Sequence, residues 1–189
     1  MASPKMVSAR AFTTGCGVLG EATPGRFEIR ENGVRFELSF NEGYSPGLFL
    51  DQRDNRHRFL TGDIAADFDF GPWTPDFGFL NCFSYTCDFS VCAALAGAKT
   101  TSLDLSKKYL EWGWRNFALN GLDPAAHDFI YGDAFDWMRR LAKKGRAFDC
   151  VVLDPPTFSQ SKEHGAFRVE KDWGRLVAAA LPPGQTGGG

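Results

Sequence analysis

Between residues 26 and 40, apolar positions alternate with charged ones. Phe27 and Ile29 form one run, Val34, Phe36, Leu38 and Phe40 another, and Asn32-Gly33 stands between them. A period of two belongs to a strand with one buried face, and Asn-Gly tolerates the positive φ angles of a two-residue turn. A β-hairpin is therefore predicted. Gly43-Tyr44-Ser45-Pro46-Gly47 reads as a loop, and Leu48-Phe49-Leu50 leads into a short charged helix over 51–58. Gly71-Pro72-Trp73-Thr74-Pro75-Asp76 marks the boundary with a second unit.

From Phe77 onward the pattern changes to strands alternating with helices. Strands are predicted over 79–83, 100–103, 127–131 and 148–153. The helices are placed at 89–96, 106–120, 133–144 and 169–181, with Ser106 as an N-cap and Gly121 as a C-cap. Such alternation implies βαβ units and a parallel sheet, so the fold class is α/β. Residues 1–25 lack periodicity, end in Thr23-Pro24-Gly25, and read as a disordered leader. Three parts follow: a leader over 1–25, a hairpin-and-helix segment over 26–75, and the α/β unit over 76–189.

Composition removes several classes. Hydrophobic residues are 43% and charged residues 23% of the chain, which excludes a disordered, collagen-like or coiled-coil protein. No apolar run is long enough for a membrane helix. The net charge is -2, so any nucleic-acid contact must be local rather than driven by an overall field. The balance is nonetheless uneven, with the excess acid in the first half of the chain. Cys16, Cys82, Cys87, Cys92 and Cys150 include no CxxC pair, so neither a disulfide framework nor a zinc site is supported. A cytoplasmic, reducing compartment fits that usage.

In an open α/β sheet, ligands bind at the carboxyl ends of the strands. Four successive strand ends here carry chemistry. The first opens a turn over 81–90, Asn-Cys-Phe-Ser-Tyr-Thr-Cys-Asp-Phe-Ser, whose backbone can wrap a ligand at a helix N-terminus. The second ends in Asp104, a carboxylate suited to two ribose hydroxyls. The third leads to Gly132-Asp133-Ala134-Phe135, an acceptor beside an aromatic ring, suited to adenine. The fourth leads to Asp154-Pro155-Pro156-Thr157-Phe158. Each alone reads as readily as an N-cap or a loop; four in register do not.

Phe79-Leu80-Asn81-Cys82-Phe83-Ser84-Tyr85-Thr86 and Leu103-Asp104-Leu105-Ser106-Lys107-Lys108-Tyr109-Leu110-Glu111-Trp112 carry a resemblance. So do Gly47-Leu48-Phe49-Leu50-Asp51-Gln52-Arg53 and Asp154-Pro155-Pro156-Thr157-Phe158-Ser159-Gln160-Ser161-Lys162. Over roughly residues 26–181 the chain resembles the class I S-adenosylmethionine-dependent methyltransferases that act on bacterial 23S ribosomal RNA. The resemblance implies a Rossmann-like methyltransferase sheet, incomplete at its C-terminal end and preceded by the small hairpin segment, with S-adenosyl-L-methionine as donor. It implies that Asp104, with Leu105 and Ser106 beside it, holds the ribose. Asp133 and Ala134 would hold the adenine, and Asn81, Phe83, Ser84, Tyr85, Thr86 and Asp88 the methionine part. Asp154, Pro155, Pro156 and Phe158 would lie where donor meets acceptor. Ribosomal RNA, 23S by this likeness, is the implied partner, and no membrane is involved.

Two departures stand out. Asp88 occupies a position that is glycine in the family, where backbone passes close to the donor and φ can be positive. Its charge is expected to face the donor's carboxylate, so Asp88→Gly is expected to tighten binding. The sheet is also expected to stop after four strands, leaving strand 148–153 with an open edge that invites self-association. A non-catalytic or unstable fragment, or a methyltransferase for a small molecule or protein, is the alternative reading.

Methylation of cytosine carbon 5 needs a thiolate nucleophile, and no cysteine follows Cys150. Direct transfer to a base nitrogen needs only positioning and an acceptor such as Asp154 or a proline carbonyl. For RNA contact, Arg139, Arg140, Lys143, Lys144 and Arg146 form one basic run and Arg53, Arg56 and Arg58 another. Both read first as solvated faces. Trp112, Trp114 and Trp137 read as core or partial core.

Overall fold

The computed structural model describes residues 24–42, 45–65, 71–161 and 165–181. The leader expected at the N-terminus lies, up to residue 23, outside the described residues. Strands β1 (Phe27–Glu31) and β2 (Val34–Leu38) pair antiparallel, with Phe27 opposite Leu38. Asn32 and Gly33 turn at φ 50° and 83°, as the two-residue hairpin requires. Val34, Phe36 and Leu38 are buried, and the residues between them half-buried.

A two-stranded ribbon is marginal in water, and a helix completes this one. The side chain of Asn120 accepts from Arg35 N at 2.8 Å through Oδ1, and its Nδ2 donates to Arg35 O at 2.7 Å. One helical turn earlier, Asn116 Oδ1 accepts from Glu37 N at 2.9 Å. Four residues of helix rise roughly 6 Å and two residues of strand roughly 7 Å. Side-chain amides on one helix face therefore meet alternate strand residues in register and cover the edge of β2.

A 3-10 turn, Leu50–Gln52, runs into α1 (Arg53–Thr61). Arg53 and Arg58 are exposed, as a solvated face would have them, but Arg56 is not. Arg56 is 1% exposed, because two carboxylates brought from elsewhere in the fold surround it. Arg139, Arg140, Lys143, Lys144 and Arg146 do stay exposed.

Four parallel strands follow: β3 (Gly78–Cys82), β4 (Lys99–Asp104), β5 (Asp128–Tyr131) and β6 (Cys150–Leu153), in the order β5-β4-β3-β6. Helices α2 (Asp88–Leu95) and α3 (Lys107–Leu119) take one side, α4 (Ala134–Lys143) and α5 (Val169–Ala180) the other. On the first side Phe79 packs with Trp73, Phe77, Phe89 and Ala93. The hairpin joins there as well, Phe36 and Leu38 clustering with Val91, Leu110 and Phe117. On the second side Leu80, Cys82 and Leu103 meet Met138, Leu141 and Leu176. Trp112 is fully buried and Trp137 half-buried, while Trp114 stays 46% exposed against Phe129.

Two further strands, β7 (Phe158–Ser161) and β8 (Gly165–Arg168), form an antiparallel hairpin between β6 and α5. Nothing in the sequence pattern announces it, since residues 159–166 carry no apolar alternation. Among the described residues β6 pairs with β3 alone.

At the opposite end of the sheet from these loops, Thr100 N donates to His127 Nδ1 at 3.2 Å. That nitrogen must be unprotonated to accept. Burial, with the charge of Lys99 next, lowers the His127 pKa from 6.5. The folded state thus holds this histidine neutral while the unfolded chain protonates near 6.5. Its contribution is full above pH 6.5 and is lost as pH falls from there through the lowered folded value. Urea unfolding at pH 7.5 and 5.5 should show a smaller pH loss for His127→Asn than for the unsubstituted chain.

Candidate active site

The carboxyl ends of β3, β4, β5 and β6 lie side by side, and a strained turn leaves the first of them. Phe83, Tyr85 and Cys87 stand at φ 61°, 47° and 61°. Left-handed conformations in such residues cost on the order of 1–2 kcal/mol each and persist only where surroundings impose them. The surroundings here do so. Ser84 N donates to Leu103 O at 3.0 Å and Cys87 N to Ser84 O at 2.7 Å. Tyr85 N donates to Asp104 Oδ2 at 2.9 Å.

The N-terminal segment and α3 hold the same turn from outside. Tyr85 Oη donates to Ser45 O at 3.0 Å, and Thr86 Oγ1 donates to Gly47 O at 2.7 Å. Asn116 Nδ2 donates to Thr86 O at 3.0 Å. Gly47 sits at φ 111°, where a side chain would strike the Trp112 ring, and a Cβ on Gly113 would collide with Cys87 Sγ. Both glycines let backbone close onto the turn.

Asp104 has a second acceptor contact, Ser106 N to Oδ1 at 2.8 Å. Its carboxyl is pushed above the usual range by burial, against the pull of these backbone N–H groups. Each oxygen retains lone-pair capacity. Leu105 beside it is 40% exposed, and Ser106 caps α3 by accepting from Tyr109 N. Gly132 N donates to Asp104 O, which joins the neighbouring strand end. There Asp133 caps α4 through Asp136 N at 3.2 Å, and Ala134 is buried.

Asp88 has a different role from the one expected of it. The left-handed residue is Cys87, and Asp88 begins α2 without a positive φ. Its carboxylate accepts from Arg56 Nη1 at 2.9 Å through Oδ2. Arg56 also forks onto Glu31, Nε to Oε1 at 2.7 Å and Nη2 to Oε2 at 2.9 Å, and donates to Phe49 O at 2.7 Å. One buried guanidinium thus joins β1, the segment before α1, and the start of α2. With Asp88 so engaged, Asp88→Gly removes a partner of Arg56. A loss of stability is therefore expected of that substitution.

At the end of β6, Asp154 is exposed, Pro155 half-buried and Pro156 exposed. Partial desolvation and then the charge of Asp51 push the Asp154 carboxyl up, and Asp154 in turn acts on Asp88. Phe158 opens β7 opposite Arg168 in the backbone register. Phe167 of β8, which sequence reasoning did not single out, lies 6.0 Å from Phe83 and 6.1 Å from Phe135 between ring centres. Asn81 stays inside, donating to Ser90 Oγ at 3.0 Å. Its Oδ1 is buried with no hydrogen-bond partner among the described residues. Burial pushes the thiols of Cys82 and Cys87 up to about 12, so neither supplies a thiolate nucleophile near neutral pH.

Comparison with known proteins gives a consistent picture. Residues 10–189 match the family model described as S-adenosylmethionine-dependent methyltransferase. The ribosomal RNA large subunit methyltransferase K/L of Psychrobacter sp. (strain PRwf-1) is 41% identical over 157 residues, which are 81% of this chain and 18% of that protein. The ribosomal RNA large subunit methyltransferase K of Neisseria meningitidis serogroup B is 38% identical, over 82% of this chain and 41% of its own. The chain therefore spans about two fifths or less of the curated relatives it matches. Among solved structures, SMU.776 complexed with SAH is 35% identical with a TM-score of 0.76, covering 87% of this chain and 40% of that one. A SAM dependent methyltransferase from Agrobacterium tumefaciens is 27% identical with a TM-score of 0.72, covering 86% of this chain and 51% of that one.

Proposed function

The chain belongs to the S-adenosylmethionine-dependent methyltransferase family, and from that premise we propose that it transfers a methyl group to a base nitrogen of 23S ribosomal RNA. The observation that carries this reading is the turn of left-handed residues locked onto Asp104 at the carboxyl edge of the sheet. The residues fit the donor in kind. A carboxylate with spare lone pairs suits ribose hydroxyls, a rigid turn suits the methionine part, and Asp133 with Ala134 suits the adenine.

S-adenosylmethionine, when bound, supplies a methyl group made electrophilic by its sulfonium. Asp104 would hold the ribose, and the turn over 83–88 would fix the methionine end. Asp154, with Pro155 and Pro156, would orient the acceptor base, and the raised pKa of Asp154 suits it to take the proton the nitrogen sheds. Phe158 would stack the base. The buried, protonated state of Cys82 and Cys87 favours direct transfer over covalent attack on a ring carbon. The relatives' names support RNA as the acceptor. Among the described residues no helix is long and apolar enough to cross a membrane, and a cytoplasmic setting belongs to the same proposal.

Melting in the presence of S-adenosylhomocysteine tests the cofactor half. A hundredfold excess over Kd adds about 2.7 kcal/mol, which at this size raises Tm by roughly 5–10 °C. An unchanged Tm at millimolar ligand rejects it. Incorporation of labelled methyl into a 23S transcript, mapped to the modified atom, tests the acceptor half.

A further inference from the structure

The charge around Asp88 does not balance. Glu31 and Asp88 both have side chains only 9% exposed, and the single guanidinium of Arg56 answers the two of them. That leaves one surplus negative charge in a desolvated place. Burial pushes the Asp88 carboxyl up, the Arg56 ion pair pulls it back down and favours its charged form, and the charge of Asp154 adds a smaller push. Burial and then Asp51 act on Asp154 in the same upward direction. The accumulation lies where β3 and β6 end, around the turn that the cofactor reading assigns to the methionine part.

S-adenosylmethionine and S-adenosylhomocysteine share the same ammonium and carboxylate. They differ by one methyl group and the positive charge on sulfur. Any repulsion between Asp88 and the ligand carboxylate is therefore common to both and cancels in their affinity ratio. Resting on that reading of the site, we propose that Asp88 makes the site prefer the cationic donor over the neutral-sulfur product. During transfer the acceptor nitrogen forms a bond to the methyl carbon, the carbon–sulfur pair stays on sulfur, and the acceptor's proton leaves to Asp154 or water. The sulfur charge that the surplus attracts is then gone. Donor binding and product release are thereby served by one fixed charge. Glycine, the residue the family resemblance leads one to expect at position 88, supplies no such charge.

Calorimetric titration of the full 189-residue chain with each ligand tests this. The readout is the ratio of the homocysteine Kd to the methionine Kd, at low and high salt. Asp88→Asn keeps an oxygen for Arg56 and removes the charge. The ratio should fall by roughly tenfold, and the loss should come mainly from weaker donor binding. Glu31→Gln removes a unit charge from the other partner of Arg56, outside the turn, and should lower the ratio in the same direction by less. It carries the test should Asp88→Asn fail to fold. A ratio unchanged in either folded variant overturns the inference while leaving the cofactor reading intact. Failure of both ligands to bind the unsubstituted chain overturns the cofactor reading and this inference with it.

Discussion

Arg56→Met should remove a large share of the chain's stability. The substitution keeps much of the volume but strands Glu31 and Asp88 as two buried carboxylates without a counter-charge. Breaking a buried pair by removing one partner costs about 3–5 kcal/mol, against a total stability of about 5–15 kcal/mol for an ordinary domain. Three segments separate at once, because Phe49 O also loses its donor. Urea unfolding followed by tryptophan fluorescence measures the effect, Trp112 being fully buried. Combining Arg56→Met with Glu31→Gln and Asp88→Asn removes the stranded charges and should recover much of the midpoint. A single variant that unfolds at the original midpoint would show that the network contributes nothing.

The second large effect is on ligand binding. Asp104→Ala should abolish the rise in Tm that S-adenosylhomocysteine produces. Hydrogen bonds to a charged group contribute about 1.5–3 kcal/mol each, so losing two ribose hydroxyl contacts weakens binding at least about a hundredfold. The variant also loses the acceptor for Tyr85 N and Ser106 N, and the strained turn loses one of its anchors. Asp104→Asn separates the two roles. It keeps one acceptor oxygen for the turn but forfeits the charge, and should retain more stability than the alanine variant while still binding weakly. A ligand-induced shift of the original size in Asp104→Ala rejects the ribose assignment.

Elements with regular spacing were legible from the residues alone. The hairpin, the four parallel strands and the helices fall where period two, the strand–helix alternation and the cap at Ser106 place them. The β7–β8 hairpin was not, because its polar residues carry no period. At the site, the carboxylates at strand ends could be picked out, since topology brings them together. Two things escaped. Arg56 sits in a charged run that reads as solvated, and only the meeting of Glu31 and Asp88, 57 residues apart in sequence, reveals it as buried. The left-handed residue next to Asp88 is Cys87, a conformation that composition does not signal. Asn116 and Asn120 likewise look like ordinary helix-end polar residues until β2 is seen against them.

The coverage of β2 by α3 sets an order of events during synthesis. Glu37 and Arg35 leave the ribosome 79 and 85 residues ahead of the asparagines that complete their hydrogen bonding. At about 5–20 residues per second, the hairpin waits roughly 4–17 s with Val34, Phe36 and Leu38 uncovered. The turn over 83–88 waits less, roughly 1.5–6 s at the same rate, because its clamps at positions 45, 47 and 56 precede it and Asn116 follows Thr86 by 30 residues. The strained backbone of the site thus acquires its clamps once α3 has emerged, ahead of β5 and β6, and the nascent hairpin is the stretch a chaperone would meet first.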